Sequence, residues 1–248
     1  MNPTVVVDVG NTRVKWGRCH AGTVTETSSL PPDDADAWQR QLIAWGLTER
    51  ADWVLTGVHP ARRDRLVEWL RHQGHTVRIV DDPRELPLRV LLERPDHVGV
   101  DRLLDAVAAY SRRAPGTPAV VIDAGSAVTI DLLDETGAFA GGVILPGLRL
   151  MAKALHDYTA LLPLVESAAE VPPIPGTSTR AAVAAGVHAS VVGGIRYLLD
   201  RYRAQLAIPP QVFLTGGDTA LLHPSLPEAE AWPLMTLEGI RLTAERLS

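Results

Sequence analysis

The sequence predicts an α/β protein made of two similar lobes, each a mixed sheet flanked by helices. Three observations lead there. Strand-like and helix-like stretches alternate from one end of the chain to the other. With 248 residues, the chain is long enough for two compact cores. The pattern also restarts midway: Val6-Val7-Asp8-Val9-Gly10-Asn11-Thr12 matches Val121-Ile122-Asp123-Ala124-Gly125-Ser126-Ala127 at a constant offset. Each copy is followed by a second strand and a glycine turn, at Gly22 and Gly137, as a duplicated hairpin-based lobe requires. The division falls between residues 1–115 and 116–248.

In the first half, the β-branched run Val5–Val7 reads as a buried strand ending at Asp8 and Gly10. Arg13–Cys19 alternates as a second strand, and Ala21-Gly22 turns the chain into a third at Thr23–Thr27. Asp36–Trp45 has helical spacing, Trp53–Val58 is a strand, and Arg62–His72 is an amphipathic helix. Thr76–Val80 is a strand and Asp101–Ser111 a helix. In the second half, Pro118–Asp123, Val128–Leu133 and Ala138–Leu145 are strands, and helices follow at Leu148–Leu161 and Thr177–Gln205. The run Pro172–Gly176 interrupts that half. Val212–Leu214 is a strand and Leu237–Leu247 a closing helix, placed with the second lobe.

Composition narrows the function. Hydrophobic residues make up 46% and charged residues 21%, the ordinary range for a globular protein. A net charge of −5 implies no broad basic face, so neither nucleic acid nor an anionic membrane is expected as partner. The N-terminus lacks the basic and apolar regions of a signal peptide, and apolar stretches fall short of the roughly 20 residues of a membrane span. A cytoplasmic location follows as an expectation. The single Cys19 excludes an internal disulfide and reads as an inert thiol. The scattered histidines give no zinc site.

Several short motifs carry chemistry. Asp8-Val9-Gly10-Asn11-Thr12 leaves a strand through a tight turn, with Arg13, Val14 and Lys15 next. Such a turn can wrap phosphate oxygens with backbone N–H groups, Lys15 adding a cation and Asp8 holding a metal or its waters. It is also what an ordinary hairpin looks like. Asp123–Ala127 repeats the device with the hydroxyl of Ser126, so two turns from two lobes could clasp one polyphosphate. Thr215-Gly216-Gly217-Asp218 follows a strand, either as a flat backbone for a nucleoside or as a plain turn with Asp218 as cap. Gly99-Val100-Asp101-Arg102 opens a helix. Its carboxylate could accept a proton from a hydroxyl and its guanidinium could bind charge, or Asp101 could simply cap the helix. Gly141–Gly147 is a strand with glycines at each end.

Taken in order, these residues resemble the type III pantothenate kinase family over nearly the full chain. The family pattern is D-x-G-N-T, G-x-D-R, D-x-G-T-A-x-T-x-D, G-G-x-I-x-P-G, G-x-N-T and T-G-G. It is met here by Asp8–Thr12, Gly99–Arg102, Asp123–Asp131, Gly141–Gly147, Gly176–Thr179 and Thr215–Gly217. The resemblance implies the fold of the acetate and sugar kinase, heat-shock protein and actin superfamily (ribonuclease H-like). It implies ATP, with Mg2+, as phosphoryl donor and the pantothenate hydroxyl as acceptor, in the first step of coenzyme A synthesis. It implies Asp101 as general base and Asp8–Lys15 with Ser126 on the nucleotide. Asp123 would take a monovalent cation (K+ or NH4+), and Gly99, Val100, Asp101, Arg102 and Thr179 would contact pantothenate at a homodimer interface. Three departures stand out: Ser126 replaces a Thr, Ser178 replaces an Asn, and Leu91-Leu92-Glu93-Arg94 lacks the Tyr that often precedes G-x-D-R. Two other functions remain open on the residues: a non-catalytic accessory protein of the same fold, and a kinase of another small alcohol.

Overall fold

The computed structural model describes residues 2–166 and 170–247. In chain order the first elements are β1 (Val5–Val9), β2 (Val14–His20), β3 (Thr23–Leu30), α1 (Ala35–Ala44), β4 (Asp52–Gly57), α2 (Pro60–His72), β5 (Thr76–Ile79) and α3 (Val100–Arg112). Then come β6 (Ala119–Ala124), β7 (Ala127–Leu133), β8 (Phe139–Pro146), α4 (Leu148–Asp157) and α5 (Thr179–Arg203). The chain closes with β9 (Gln211–Thr215), α6 (Thr219–Leu222), β10 (Ala229–Ala231) and α7 (Met235–Arg246). It divides into two units, Met1–Arg112 with Leu234–Ser248, and Arg113–Pro233.

The first unit holds a five-stranded sheet in the order β3-β2-β1-β4-β5. β1 pairs antiparallel with β2 and parallel with β4. As the central strand it is apolar toward both faces: Val5, Val6, Val7 and Val9 are wholly buried. One face packs Val5, Val7, Trp16, Trp53 and Leu55 against Trp38, Leu42, Leu66 and Leu70 of α1 and α2. At the β2–β3 turn Ala21 and Gly22 both have positive φ (49° and 76°), the geometry that matches the twist of a tight hairpin. Asp34 caps α1, its Oδ1 accepting from the Ala37 N–H at 2.9 Å.

The closing helix belongs to this unit, not to the second lobe where the sequence division at 115/116 had placed it. Gly239 lets α7 cross α3 closely, since a Cβ there would overlap the Leu104 backbone. Glu238 accepts from the Val24 N–H at 2.8 Å and from Arg241 Nε at 2.6 Å, and Arg241 also pairs with Glu245. Helical periodicity shows that a helix has an apolar side, but not which sheet receives it.

The second unit repeats the arrangement: read from β8, its order is β8-β7-β6-β9-β10, again with one antiparallel and one parallel neighbour for the central strand. The duplication seen in one motif thus extends to a whole sheet. The copies differ at the first hairpin, where residues 10–13 link paired Val9 and Val14, but only residues 125–127 link paired Ala124 and Val128. Lys15 stands opposite Asp8, whereas Thr129 stands opposite Asp123.

The core of this unit gathers Val120, Ile122, Val128, Ile130 and Leu214 with Val183, Val187, Val191, Ile195 and Leu199 of α5. α5 has 25 residues, and an 18-residue window of it reaches mean hydropathy 1.4, so by length and composition it is apolar enough to cross a membrane, contrary to the expectation that no stretch is. Its valines and Ile195 lie in this core, as in the central helix of a folded domain. α6 and β10 carry too few residues to leave a period in the sequence and were not foreseen.

Candidate active site

Asp8 lies near the end of β1, opposite Lys15 on β2 and beside Thr56 on β4. Burial pushes its carboxyl up to about 6; Lys15 opposes the rise and the charge of Asp101 adds to it. The two carboxylates therefore act on one region of the first unit. Thr56 is wholly buried, and its hydroxyl has no hydrogen-bond partner among the described residues. In the turn after Asp8 the Gly10 N–H is used internally, donating to the Arg13 carbonyl at 3.0 Å. The N–H groups free to meet a phosphate are those of the exposed residues that follow, Asn11, Thr12 and Arg13. Val9 and Val14 close the strand pair beneath the turn.

Asp101 is the second residue of α3, and its Oδ1 accepts from the Arg102 N–H at 2.9 Å. A cap lies outside the helix, so the capping interpretation does not describe its position. Its carboxylate rests against Gly99, where a Cβ would overlap Oδ1. That explains the glycine of G-x-D-R: a bare backbone seats the acid next to it. Val100 is buried and begins the helix. The residues before this motif form a short 3-10 turn at Pro95–His97, with Arg94 paired to Asp96 at 3.2 Å.

In the second unit three motifs that are far apart in sequence converge. Asp123 is the next-to-last residue of β6, and the Gly125 N–H donates to the Ala127 carbonyl at 3.0 Å. Gly216, at φ 96°, packs where a Cβ would overlap Ala124 and the Asp123 carboxylate. Asp218 N–H donates to the Ala124 carbonyl at 2.9 Å. Gly147 lies against the backbone of Gly125 and Ser126, and its N–H donates to Ser126 at 3.1 Å. The D-x-G turn, the G-x-I-x-P-G strand end and the T-G-G turn are thus one backbone cradle around residues 123–126. Asp218 heads α6 without a side-chain capping bond, and burial pushes its carboxyl up. Asp131 is buried against Gly142, where a Cβ would overlap its carboxylate.

Thr179 is the first residue of α5 and is exposed. No hydrogen bond or ion pair ties it to the other candidates among the described residues. Ser178 is the helix cap, its Oγ accepting from the Ala181 N–H at 3.2 Å. Serine and asparagine cap about equally, so this departure from G-x-N-T preserves the local structure.

Sequence reasoning missed Thr56, and it missed Arg62 at the start of α2, whose Nη1 donates to the Asn11 carbonyl in the turn after Asp8. The signal for Arg62 was present: Arg62 and Arg63 follow Pro60 in a first helical turn that contains no acid. Among the described residues no cluster of three metal-binding side chains occurs.

Residues 4–201 match the model of the type III pantothenate kinase family. A type III pantothenate kinase of Alkalilimnicola ehrlichii is 35% identical, covering 95% of this chain and 95% of its own. A candidate 2-dehydro-3-deoxygalactonokinase from Sinorhizobium meliloti has a TM-score of 0.59 at 12% identity, covering 98% of this chain and 97% of that one. MreB5 of Spiroplasma citri, crystallised with ADP, has a TM-score of 0.52 at 10% identity, covering 99% and 97%. These two structures speak for the fold alone. The matched residues include Asp8, Asp101 and Asp123–Gly147, and the curated relative is similar over nearly the full chain; the chain belongs to the type III pantothenate kinase family.

Proposed function

We infer that the chain transfers the γ-phosphoryl group of ATP to the hydroxyl of pantothenate, giving 4'-phosphopantothenate. The observation that carries this reading is the family match over residues 4–201, joined to the placement of Asp8 and Asp101 in one region. Phosphoryl transfer asks little covalent work of a protein; positioning and charge stabilisation dominate. Asp101 accepts the hydroxyl proton as the new P–O bond forms, and the Gly99 backbone beside it fixes the direction of its carboxylate. The N–H groups of Asn11, Thr12 and Arg13, with Lys15, hold phosphate oxygens. Magnesium bound with ATP supplies further neutralisation of the phosphates, and Asp8 is the carboxylate suited to hold it or its waters.

The same reading gives Ser126 to the nucleotide, Asp123 to a monovalent cation, and Gly99, Val100, Arg102 and Thr179 to pantothenate. The cation assignment is supported by the bare backbone that Gly216 brings against the Asp123 carboxylate. A homodimer belongs to it too. On α5, Val191 and Val192 are buried in the core of their own unit, so they offer no outer face. Gly186, Ala189, Gly193 and Tyr197 on α5 are exposed, as are Ile144 on β8, Leu150 on α4 and Tyr158 just after α4. Cytoplasm is the compartment assigned, where ATP is supplied. The test is ADP release in a coupled assay with magnesium and potassium. Pantothenate at millimolar concentration should raise it well above the basal rate. ATP binding without any turnover would favour an accessory protein instead, and stimulation only by another alcohol would move the substrate.

A further inference from the structure

We propose that Arg62 is a positioning residue that sets the direction of the phosphate-facing N–H groups in the turn after Asp8. The inference rests on reading residues 8–15 as the phosphate loop. Three observations lead to it. First, the Arg62 guanidinium donates from Nη1 to the carbonyl oxygen of Asn11, within the exposed part of that turn. In a trans peptide the carbonyl of one residue and the N–H of the next point in opposite directions. Holding the Asn11 oxygen toward α2 therefore turns the Thr12 N–H away from α2 and fixes the plane of the Asn11–Thr12 peptide.

Second, the guanidinium is itself held. Its Nε pairs with Asp33 Oδ2 at 3.2 Å, and Asp33 Oδ1 pairs with Arg65 at 2.8 Å. The planar fork of an arginine holds a carbonyl and a carboxylate at once in a fixed geometry, which the rotatable donors of a lysine do not impose. Third, the placement breaks a local rule. A helix N-terminus disfavours cations, yet the first turn of α2 carries Arg62 and no acid. Such conflicts between local preference and sequence are expected at functional positions. Exposed ion pairs of this kind add little to folding, so stability alone gives no reason for the arrangement.

The test compares Arg62→Ala, Arg62→Lys and Asp33→Asn with wild type, using Asp8→Asn as a control on the loop itself. Arg62→Ala should raise the KM for ATP about tenfold or more. It should leave kcat within a fewfold and the KM for pantothenate unchanged. The rise in melting temperature on adding ATP with magnesium should shrink, while the melting temperature without ligand stays close to wild type. Arg62→Lys should recover part of the ATP affinity, and Asp33→Asn should lose part of it. An unchanged KM for ATP in Arg62→Ala, with Asp8→Asn weakening ATP, overturns the role of Arg62. If Asp8→Asn also leaves ATP affinity intact, the phosphate-loop reading itself fails. Should Arg62→Ala not fold, Arg62→Lys and Asp33→Asn decide: ATP affinity equal to wild type in both overturns the proposal.

Discussion

Replacing Asp8 by Asn should stabilise the free protein and weaken its hold on ATP. The carboxyl is raised from its ordinary 3.8 to about 6, chiefly because its half-buried place on β1 strips water from it. A rise of that size corresponds to about 3 kcal/mol between the charged and neutral forms. The sign follows from proton linkage. Below pH 3.8 both folded and unfolded chains carry the proton and there is no penalty. Above about 6 both have lost it, and the folded state bears the full cost of a buried charge. Asparagine keeps the shape and removes the charge. Asp8→Asn should therefore exceed wild type by up to about 3 kcal/mol at pH 8, with the gap closing toward pH 4. Urea unfolding at the two pH values, followed by tryptophan fluorescence, measures it. Trp16, Trp38, Trp45, Trp53 and Trp69 all lie in the first unit, so the signal reports mainly on the sheet that holds Asp8. A variant no more stable than wild type at pH 8, or a gap equal at both pH values, would refute the reasoning. A charge kept at a cost to stability is what a residue reserved for a ligand looks like.

Asp101→Asn should lower kcat by at least about a hundredfold while ATP affinity barely moves, because the base is lost and the phosphate loop is not; steady-state kinetics with a nucleotide titration checks both. Gly239→Ala should destabilise the first unit by roughly 1–3 kcal/mol, since its Cβ would meet the Leu104 backbone, which cannot rotate away; a melting temperature equal to wild type would argue against the close α3–α7 crossing. Cys19, pushed up to about 12 by burial, should resist iodoacetamide at pH 8 in the folded protein and react only on denaturation. Intact-mass measurement before and after adding denaturant decides it.

The strand and helix order of both halves was legible because burial leaves periods of 2 and 3.6 in long elements. β10 and α6 escaped because three and four residues cannot show a period. The paired Asp8 and Asp123 turns were legible for another reason: strand ends with Asp-x-Gly are rare enough to be noticed twice. What Asp101 does with Gly99 was half legible. The glycine was visible, but that it seats a carboxylate appears only when the helix is seen to begin at Val100.

By itself, then, the sequence determined the duplicated α/β plan, the position of each turn and the family. These depend on local pattern and on residue types at fixed spacing. Tertiary structure alone decided that α7 completes the first unit, that Gly147 and Gly216 close around residues 123–126, and that Arg62 reaches the Asn11 carbonyl. Each of these is a meeting of residues distant along the chain. The sequence states that a helix has an apolar face, a glycine has no side chain and an arginine can donate. Which surface, backbone or carbonyl each one meets is set by how the whole chain excludes water and satisfies its polar groups.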